Sequence, residues 1–304
     1  MAQIPYICSD DIDHLLNWNS VAAAILDGHR AAKAQISDQF VTRGDDTLLS
    51  RAAWVDGMGI AVKSVTVFPA RAPSVQGAML LFDDQTGEVE AIIDSVLVTK
   101  WKTAADSLLG AILLARPEAK QVLIVGTGTV ACNMVDAYRA GFPDCDIAIW
   151  GRDPEKAKAI ARKKDMAAVT GLEASVRAAD IISCATMASL PVVLGAWLHP
   201  GQHLDLIGAF KADMRESDDT ALQRSKIFVD SRETTLDHIG ELKIPLAAGV
   251  IKRSNVLGDF YDLANGGAGR QSADDITLFK NGGGAHLDLM VGKVILAAWR
   301  ARGQ

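Results

Sequence analysis

The sequence predicts an α/β protein: a doubly wound, Rossmann-type domain joined to an α+β unit. Three observations predict it. From residue 118 onward, short apolar runs alternate with amphipathic helices. A Gly-x-Gly-x-x-Ala turn follows the first of those runs. The first hundred residues instead place strand beside strand, with no helix between.

In the N-terminal part, Ser20–Ala34 reads as a helix and Ala53–Phe68 as strand material, with Val65 and Val67 two apart. Ala78–Phe82 and Glu88–Asp94 flank the polar turn Asp83-Asp84-Gln85-Thr86-Gly87, the pattern of a hairpin. Lys102–Ala115 reads as an amphipathic helix with Leu108, Leu109 and Ile112 on one face, and Pro117 ends it. Beyond it come apolar runs at Val122–Val125, Ile147–Trp150, Ile181–Ala185, Leu204–Ile207 and Ile227–Val229. Helical patterns such as Glu155–Lys163 and Glu173–Ala179 separate several of them. Continuous apolar strands alternating with helices indicate a parallel sheet covered on both faces. The last helix spans Ala285–Trp299. The division predicted is residues 1–116 with 285–304 as one domain and 117–284 as the other.

The chain has 304 residues, 49% hydrophobic and 22% charged, a balance that supplies ample core for two domains. The net charge of −6 and the scatter of its basic residues argue against a general nucleic-acid binder. No apolar run is long enough to cross a bilayer, and the first residues have neither a basic nor an apolar targeting region, so no membrane partner is expected and a cytoplasmic location is. Cys8, Cys132, Cys145 and Cys184 form no Cys-x-x-Cys pair, and Pro200-Gly201 prevents a helix from aligning His199 with His203. No metal site is expected.

The turn itself is Gly126-Thr127-Gly128-Thr129-Val130-Ala131. Gly126 permits a tight exit from the strand. Gly128 lets backbone approach a pyrophosphate, and Ala131 lets the helix pack close. The diphosphate would rest on N–H groups at the helix N-terminus, where the dipole favours an anion. NADPH or NADH is the expected cofactor. At the end of the second strand stands Trp150-Gly151-Arg152-Asp153, without the terminal acid that usually meets a free 2′-hydroxyl. A guanidinium at Arg152 suits a 2′-phosphate, which favours NADP(H). Alternatively Arg152 is a solvated turn residue and Asp153 an N-cap, or Asp153 itself reaches the ribose. Thr186 follows the strand Ile181–Ala185, near the expected nicotinamide ribose. Gly282-Gly283-Gly284 either approaches the cofactor or is a joint before the last helix.

Lys63 lies inside an apolar strand, an unusual place for a charge. It is either a lysine on a solvent face or a functional cation. Lys102, at the expected start of a helix, has a charge unfavourable to the dipole, which points to an anion nearby. Thr103 would donate to that anion or cap the helix. Glu241 and Asp288 are possible relay acids, more simply read as surface residues. His203 and His286 are the histidines to examine as proton donors.

Several segments in this order and spacing resemble the ornithine cyclodeaminase/mu-crystallin family. They are Ala61-Val-Lys63-Ser-Val-Thr-Val-Phe-Pro69, Lys102-Thr-Ala-Ala, Val122-Leu-Ile-Val-Gly-Thr-Gly and Ala179-Asp-Ile-Ile-Ser-Cys-Ala-Thr186. His199-Pro-Gly201, Ile207-Gly208, Gly240-Glu241-Leu242 and Thr277-Leu-Phe-Lys-Asn complete the set. The resemblance implies a homodimer, a substrate-binding and dimerisation domain around a Rossmann domain, and NAD(P)-linked chemistry at the carbon–nitrogen bond of a small imino or amino acid. It assigns Lys63 to the substrate, together with position 102 and an upstream arginine matched to Arg43, or less well to Arg51. The family's Arg-Thr-Ala-Ala is here Lys102-Thr103-Ala104-Ala105, which keeps the charge but not the bidentate fork. Where the cyclodeaminases carry an Asp this chain has Phe210, which cannot take a proton.

The resemblance therefore implies a reductase of a small cyclic imino acid. Δ1-Pyrroline-2-carboxylate, giving L-proline, is the preferred substrate, and Δ1-piperideine-2-carboxylate the second. Ornithine cyclodeaminase, a reductase of an open-chain imine or an amino-acid dehydrogenase, and a cofactor-binding protein without catalysis are the alternatives.

Overall fold

The computed structural model describes residues 3–302. The chain divides into two compact units, Met1–Lys102 with Gly284–Gln304, and Thr103–Gly283.

The first unit opens with β1 (Tyr6–Ile7), α1 (Ser9–Ile12) and α2 (Trp18–Gly28). The strands β2 (Gln35–Arg43), β3 (Asp46–Val55), β4 (Gly59–Val67), β5 (Val75–Phe82) and β6 (Val89–Asp94) follow. Their sheet has the order β1-β6-β5-β4-β3-β2, antiparallel except for the β1–β6 pair. Strand alternation puts Ala61, Lys63 and Val65 of β4, Met79 and Leu81 of β5, and Ala91 and Ile93 of β6 on one buried face. The opposite face carries Ile60, Val62, Leu80 and Ile92, all half-buried, and an exposed Trp54.

The helix α3 (Ser95–Leu114) contains the division between the units. The second unit continues with β7 (Gln121–Val125), α4 (Thr129–Gly141), β8 (Asp146–Trp150), α5 (Pro154–Lys164), β9 (Ala167–Val169), α6 (Leu172–Ala178), β10 (Ile181–Cys184) and β11 (His203–Leu206). It closes with α7 (Asp219–Arg224), β12 (Lys226–Val229), α8 (Arg232–Thr235), α9 (Gly240–Ala247), β13 (Val256–Gly258), α10 (Phe260–Ala264) and β14 (Thr277–Lys280). The last helix, α11 (Ala285–Ala301), belongs to the first unit and packs on β4, β3 and α2.

All eight strands of the second sheet are parallel, in the order β13-β12-β14-β11-β10-β7-β8-β9. β7 is first in the chain and the order reverses between β7 and β10, so the switch point lies where a doubly wound sheet takes its ligand. Every residue of β10, β11 and β14 is buried, which is why their sequences show no alternation.

The structure revises several sequence expectations. Ala53–Phe68 is not one strand but parts of β3 and β4 joined at Asp56-Gly57-Met58, with Gly57 at φ +79°. β2 went unread because it is an edge strand exposed along most of its length, with no buried face to set a period of two. α2 stops at Gly28 rather than at Ala34. α3 begins at Ser95, where Asp94 Oδ1 accepts the Val96 N–H at 2.8 Å, and not at Lys102. Lys102 is therefore mid-helix, the dipole reading of its charge does not apply, and Thr103 is no cap. The two compact units meet within α3, at Lys102/Thr103, where the sequence placed the boundary after residue 116. Among the described residues, no helix is long and apolar enough to cross a membrane. No group of three His, Cys, Asp or Glu side chains is placed among them to hold a metal ion.

Candidate active site

The glycine turn between β7 and α4 fits a dinucleotide diphosphate. Gly126 has φ +133°, and a Cβ there would lie 2.5 Å from the Ala185 carbonyl oxygen, so only glycine fits without strain. Around Gly128 there is open space: an added Cβ would meet nothing within 4 Å. No side chain caps α4, whose N-cap is Gly128 itself. Thr127, Gly128, Thr129 and Val130 line this turn with half-buried or exposed residues, while Ala131 is buried against the strand.

At the end of β8, Asp153 is the N-cap of α5, accepting the N–H groups of Glu155 at 3.0 Å and Lys156 at 3.3 Å. That carboxylate is committed to the helix. Arg152 beside it is exposed.

Beyond the switch point, Thr186 leaves β10 and donates both its N–H (2.7 Å) and its hydroxyl (2.8 Å) to Glu216 Oε1. Glu216 is fully buried and also accepts from Gly208 and Ala209 at the end of β11. Burial pushes its carboxyl up to about 7; Lys280 and the Thr186 donors oppose the rise and Glu241 adds to it.

The first unit holds a cluster of cations. Lys63 Nζ donates to Asp288 Oδ1 at 2.7 Å, and both side chains are buried. Arg51 stands directly opposite Lys63 across the β3–β4 ladder. Like charges placed so repel, and the acids answer them: Arg51 pairs with Asp38 and Lys63 with Asp288. Burial lowers the Lys63 ammonium to about 8, with Asp288 opposing the fall and Lys102 and Arg51 adding to it. Burial alone would raise the Asp288 carboxyl, but Lys63, Lys102 and Arg51 together hold it below the usual carboxylate range. Lys102 is 7% exposed, and its ammonium has no hydrogen-bond partner among the described residues. Three cations thus face two carboxylates, an arrangement suited to one more anion.

Arg43 does not join them. It lies at the β2–β3 turn, exposed, and pairs with Asp46 at 2.8 Å. Register decides this: the residue of β3 opposite Lys63 is Arg51, and Arg43 is opposite Asp46. Asp288 and Glu241, read from sequence as surface residues, are both buried. Asp288 lies three residues before Val291, within the wholly buried stretch Ala285–Gly292, and that spacing was the signal that could have placed it inside. Glu241 accepts from the Glu216 and Ser217 backbone N–H groups at 2.6 and 3.1 Å. Glu216 was missed altogether, and no local pattern marks it.

His203 is the first residue of β11, at the end of the strand away from the carboxyl termini, where it bonds Thr277 Oγ1 at 2.9 Å. Burial lowers it to about 3. Burial, then the charge of His29, holds His286 well below its ordinary value. Neither histidine is held as the imidazolium at neutral pH. The Gly282 and Gly283 N–H groups donate to the buried Asp230 carboxylate, so these amides serve an internal anchor rather than a cofactor. Phe210 is exposed, with the Lys211 ammonium 5.6 Å from its ring centroid. Cys184 is buried, whereas Cys132 is only half-buried.

The ornithine cyclodeaminase/mu-crystallin family matches residues 52–303 of the chain. A Δ1-pyrroline-2-carboxylate reductase of Paracoccus denitrificans is 52% identical over 301 residues, which cover 95% of each chain. One from Colwellia psychrerythraea is 36% identical over 244 residues, 76% of this chain and 77% of the relative. The solved structure of Thermococcus litoralis Δ1-pyrroline-2-carboxylate reductase, in complex with NADH and L-proline, is similar with a TM-score of 0.90 at 25% identity, covering 98% of each chain.

Proposed function

The chain belongs to the ornithine cyclodeaminase/mu-crystallin family, and from that premise we propose that it is an NAD(P)H-dependent reductase converting Δ1-pyrroline-2-carboxylate to L-proline. The six-membered Δ1-piperideine-2-carboxylate is the second substrate. The observation that carries this reading is the gathering of Lys102, Lys63 and Arg51 at one little-exposed place, where their charges act on one another. Cations held together away from water are costly unless anions offset them, and a ligand can supply one. A small carboxylate does so. The Paracoccus relative, named for this activity, extends over nearly the whole chain.

In this reading Lys102 and Arg51 hold the substrate carboxylate, in place of the Arg43 that the family resemblance favoured. Lys63 holds a proton for the ring nitrogen. Its ammonium is shifted to about 8, near working pH, where a general acid is most effective. Asp288 keeps that ammonium charged and oriented. The nicotinamide cofactor, when bound, supplies the hydride. Hydride arriving at the imine carbon would push the C=N π electrons onto nitrogen, and that nitrogen would take one proton from Lys63 or solvent to become the secondary amine. The second unit holds the cofactor through Gly126, Thr127, Gly128, Thr129 and Val130, with Thr186 facing the nicotinamide riboside.

Arg152 is exposed beside a committed Asp153, and this favours NADPH over NADH. The Asp153 carboxylate already caps α5 through its Oδ1, whereas a guanidinium suits a 2′-phosphate. Phe210, where a cyclodeaminase needs a proton acceptor, favours reduction over lyase chemistry. We also propose a homodimer. The uncovered sheet face of the first unit is apolar across five strands, from Ala52 through Val62, Leu80 and Ile92 to Tyr6.

Purified protein mixed with the imine and either coenzyme tests the reading. Reduced-nicotinamide absorbance should fall in step with L-proline formed, faster with NADPH. No turnover with either coenzyme would overturn it. Proline formed from ornithine without added reductant would replace it with the cyclodeaminase.

A further inference from the structure

We propose that Glu216 is a positioning residue that fixes the two loops under the nicotinamide half of the cofactor and presents Thr186 to it as a hydrogen-bond acceptor. This rests on the dinucleotide reading above. Glu216 lies between β11 and α7, and its carboxylate is shared between two loops. Oε1 takes the Thr186 N–H and hydroxyl, at 2.7 and 2.8 Å, and so serves the loop leaving β10. Oε2 takes the Gly208 N–H at 2.6 Å and the Ala209 N–H at 3.2 Å, and so serves the loop leaving β11.

The carboxylate is itself aimed. The Glu216 N–H donates to Glu241 Oε2 at 2.6 Å, while the Ser217 N–H and hydroxyl donate to Glu241 Oε1 at 3.1 and 2.7 Å. Lys280 Nζ donates to the carbonyl of Leu206, the last residue of β11, at 2.8 Å. At Gly208 a Cβ would lie 1.9 Å from the Thr186 carbonyl oxygen, so the two loops are already at closest approach. Glu216 thus joins the loops leaving β10 and β11 at the carboxyl ends of those strands.

That location decides the role. In a doubly wound sheet one half of a dinucleotide lies over the strands on one side of the switch point and the second half over those on the other. The glycine turn and Arg152 belong to β7 and β8, and take the ADP half. β10 and β11 take the nicotinamide half. Thr186 gives its only hydroxyl hydrogen to Glu216, so it meets a ligand only with a lone pair. A ribose hydroxyl or a carboxamide N–H of the cofactor would supply the donor. Glu216 touches no reacting atom and acts through Thr186.

Calorimetric titration of the full-length protein with NADH and with ADP-ribose, which lacks the nicotinamide, separates this role from general stability. In Glu216→Gln one oxygen becomes an amide NH₂ that must face backbone N–H donors. The Kd for NADH should rise roughly tenfold or more while that for ADP-ribose stays within about twofold, the loss of a charged hydrogen bond at one half only. Thr186→Val, which removes the hydroxyl alone, should move the same ratio in the same direction and decides the matter if the Gln variant does not fold. A folded variant that binds both ligands as wild type does, or weakens both by one factor, overturns the proposal. If wild type binds neither ligand, nor NADPH, the dinucleotide reading itself fails and this assignment with it.

Discussion

Lys63 Nζ donates to Asp288 Oδ1 across 2.7 Å and 225 residues of sequence, tying β4 to the first turn of the last helix. Neither group is solvated, so each sets the other's protonation. Burial drives Lys63 toward the neutral amine and Asp288 holds it charged. With Lys63 at about 8, kcat/KM for the imine should fall as pH rises through that value, because the ammonium is the active form. Asp288→Asn removes the interaction that favours the ammonium and leaves the desolvation. The alkaline limb should then move to lower pH. Comparing pH profiles of wild type and variant cancels the substrate's own ionisation. A limb that stays in place would show that Lys63 is not the titrating group.

Lys102 is the cation left without a hydrogen-bond acceptor, so its removal should show chiefly in substrate binding. Lys102→Met keeps the length and apolar stem but not the charge. The KM for the imino acid should rise roughly 10- to 100-fold, as expected for one charged hydrogen bond, with a smaller change in kcat. Lys102→Arg restores the charge and adds a fork, and should recover most of the loss. Steady-state kinetics at saturating coenzyme read both. A Met variant with unchanged KM would remove position 102 from the carboxylate site.

The parts of this molecule visible in the sequence are those where local chemistry and fold agree. Gly126 and Gly128 stand between an apolar strand and a helix, the first where the turn is tight and the second where a pyrophosphate must come close to backbone. Lys63 is visible because it interrupts an apolar alternation. The rest depends on register and burial. Arg43 and Arg51 lie on the two strands of one hairpin, and only the pairing of β3 with β4 tells which one faces Lys63. Asp288 in the first turn of a helix has the pattern of an exposed acid that complements the dipole; it is buried because both neighbouring turns are. Glu216 has nothing around it in sequence to mark it, since its partners lie eight and thirty residues away. The start of α3 was hidden by Val96 and Val98, β-branched residues that suit a strand, and Asp94 supplies the cap that overrides them.

In the proposed reading, coenzyme choice turns on Arg152. Asp153 spends its Oδ1 on the first N–H groups of α5, leaving the exposed guanidinium beside it as the charged group of that turn. Arg152→Ala should lower kcat/KM for NADPH roughly 10- to 100-fold, the range for losing a charge-assisted hydrogen bond to phosphate, and leave NADH within a few fold. Equal losses with both coenzymes, or none, would mean that Arg152 does not meet the 2′-phosphate.

The uncovered face of the six-stranded sheet is the place to test assembly. Ala52, Val62, Leu80, Ile92 and Tyr6 are successive cross-strand partners, so their side chains form one apolar row over five strands. Tyr6 is exposed and the other four are half-buried. An apolar surface of this continuity is unfavourable in water and suits an isologous contact, in which the same row meets itself across a two-fold axis. Light scattering coupled to gel filtration should give twice the chain mass of 32.3 kDa for wild type. Leu80→Asp places a carboxylate at the middle of the row, where a dimer would bury two of them together. That variant should run at the monomer mass and keep its secondary structure, since Leu80 points away from the helix-covered face. A Leu80→Asp protein that remains a dimer would locate the contact elsewhere.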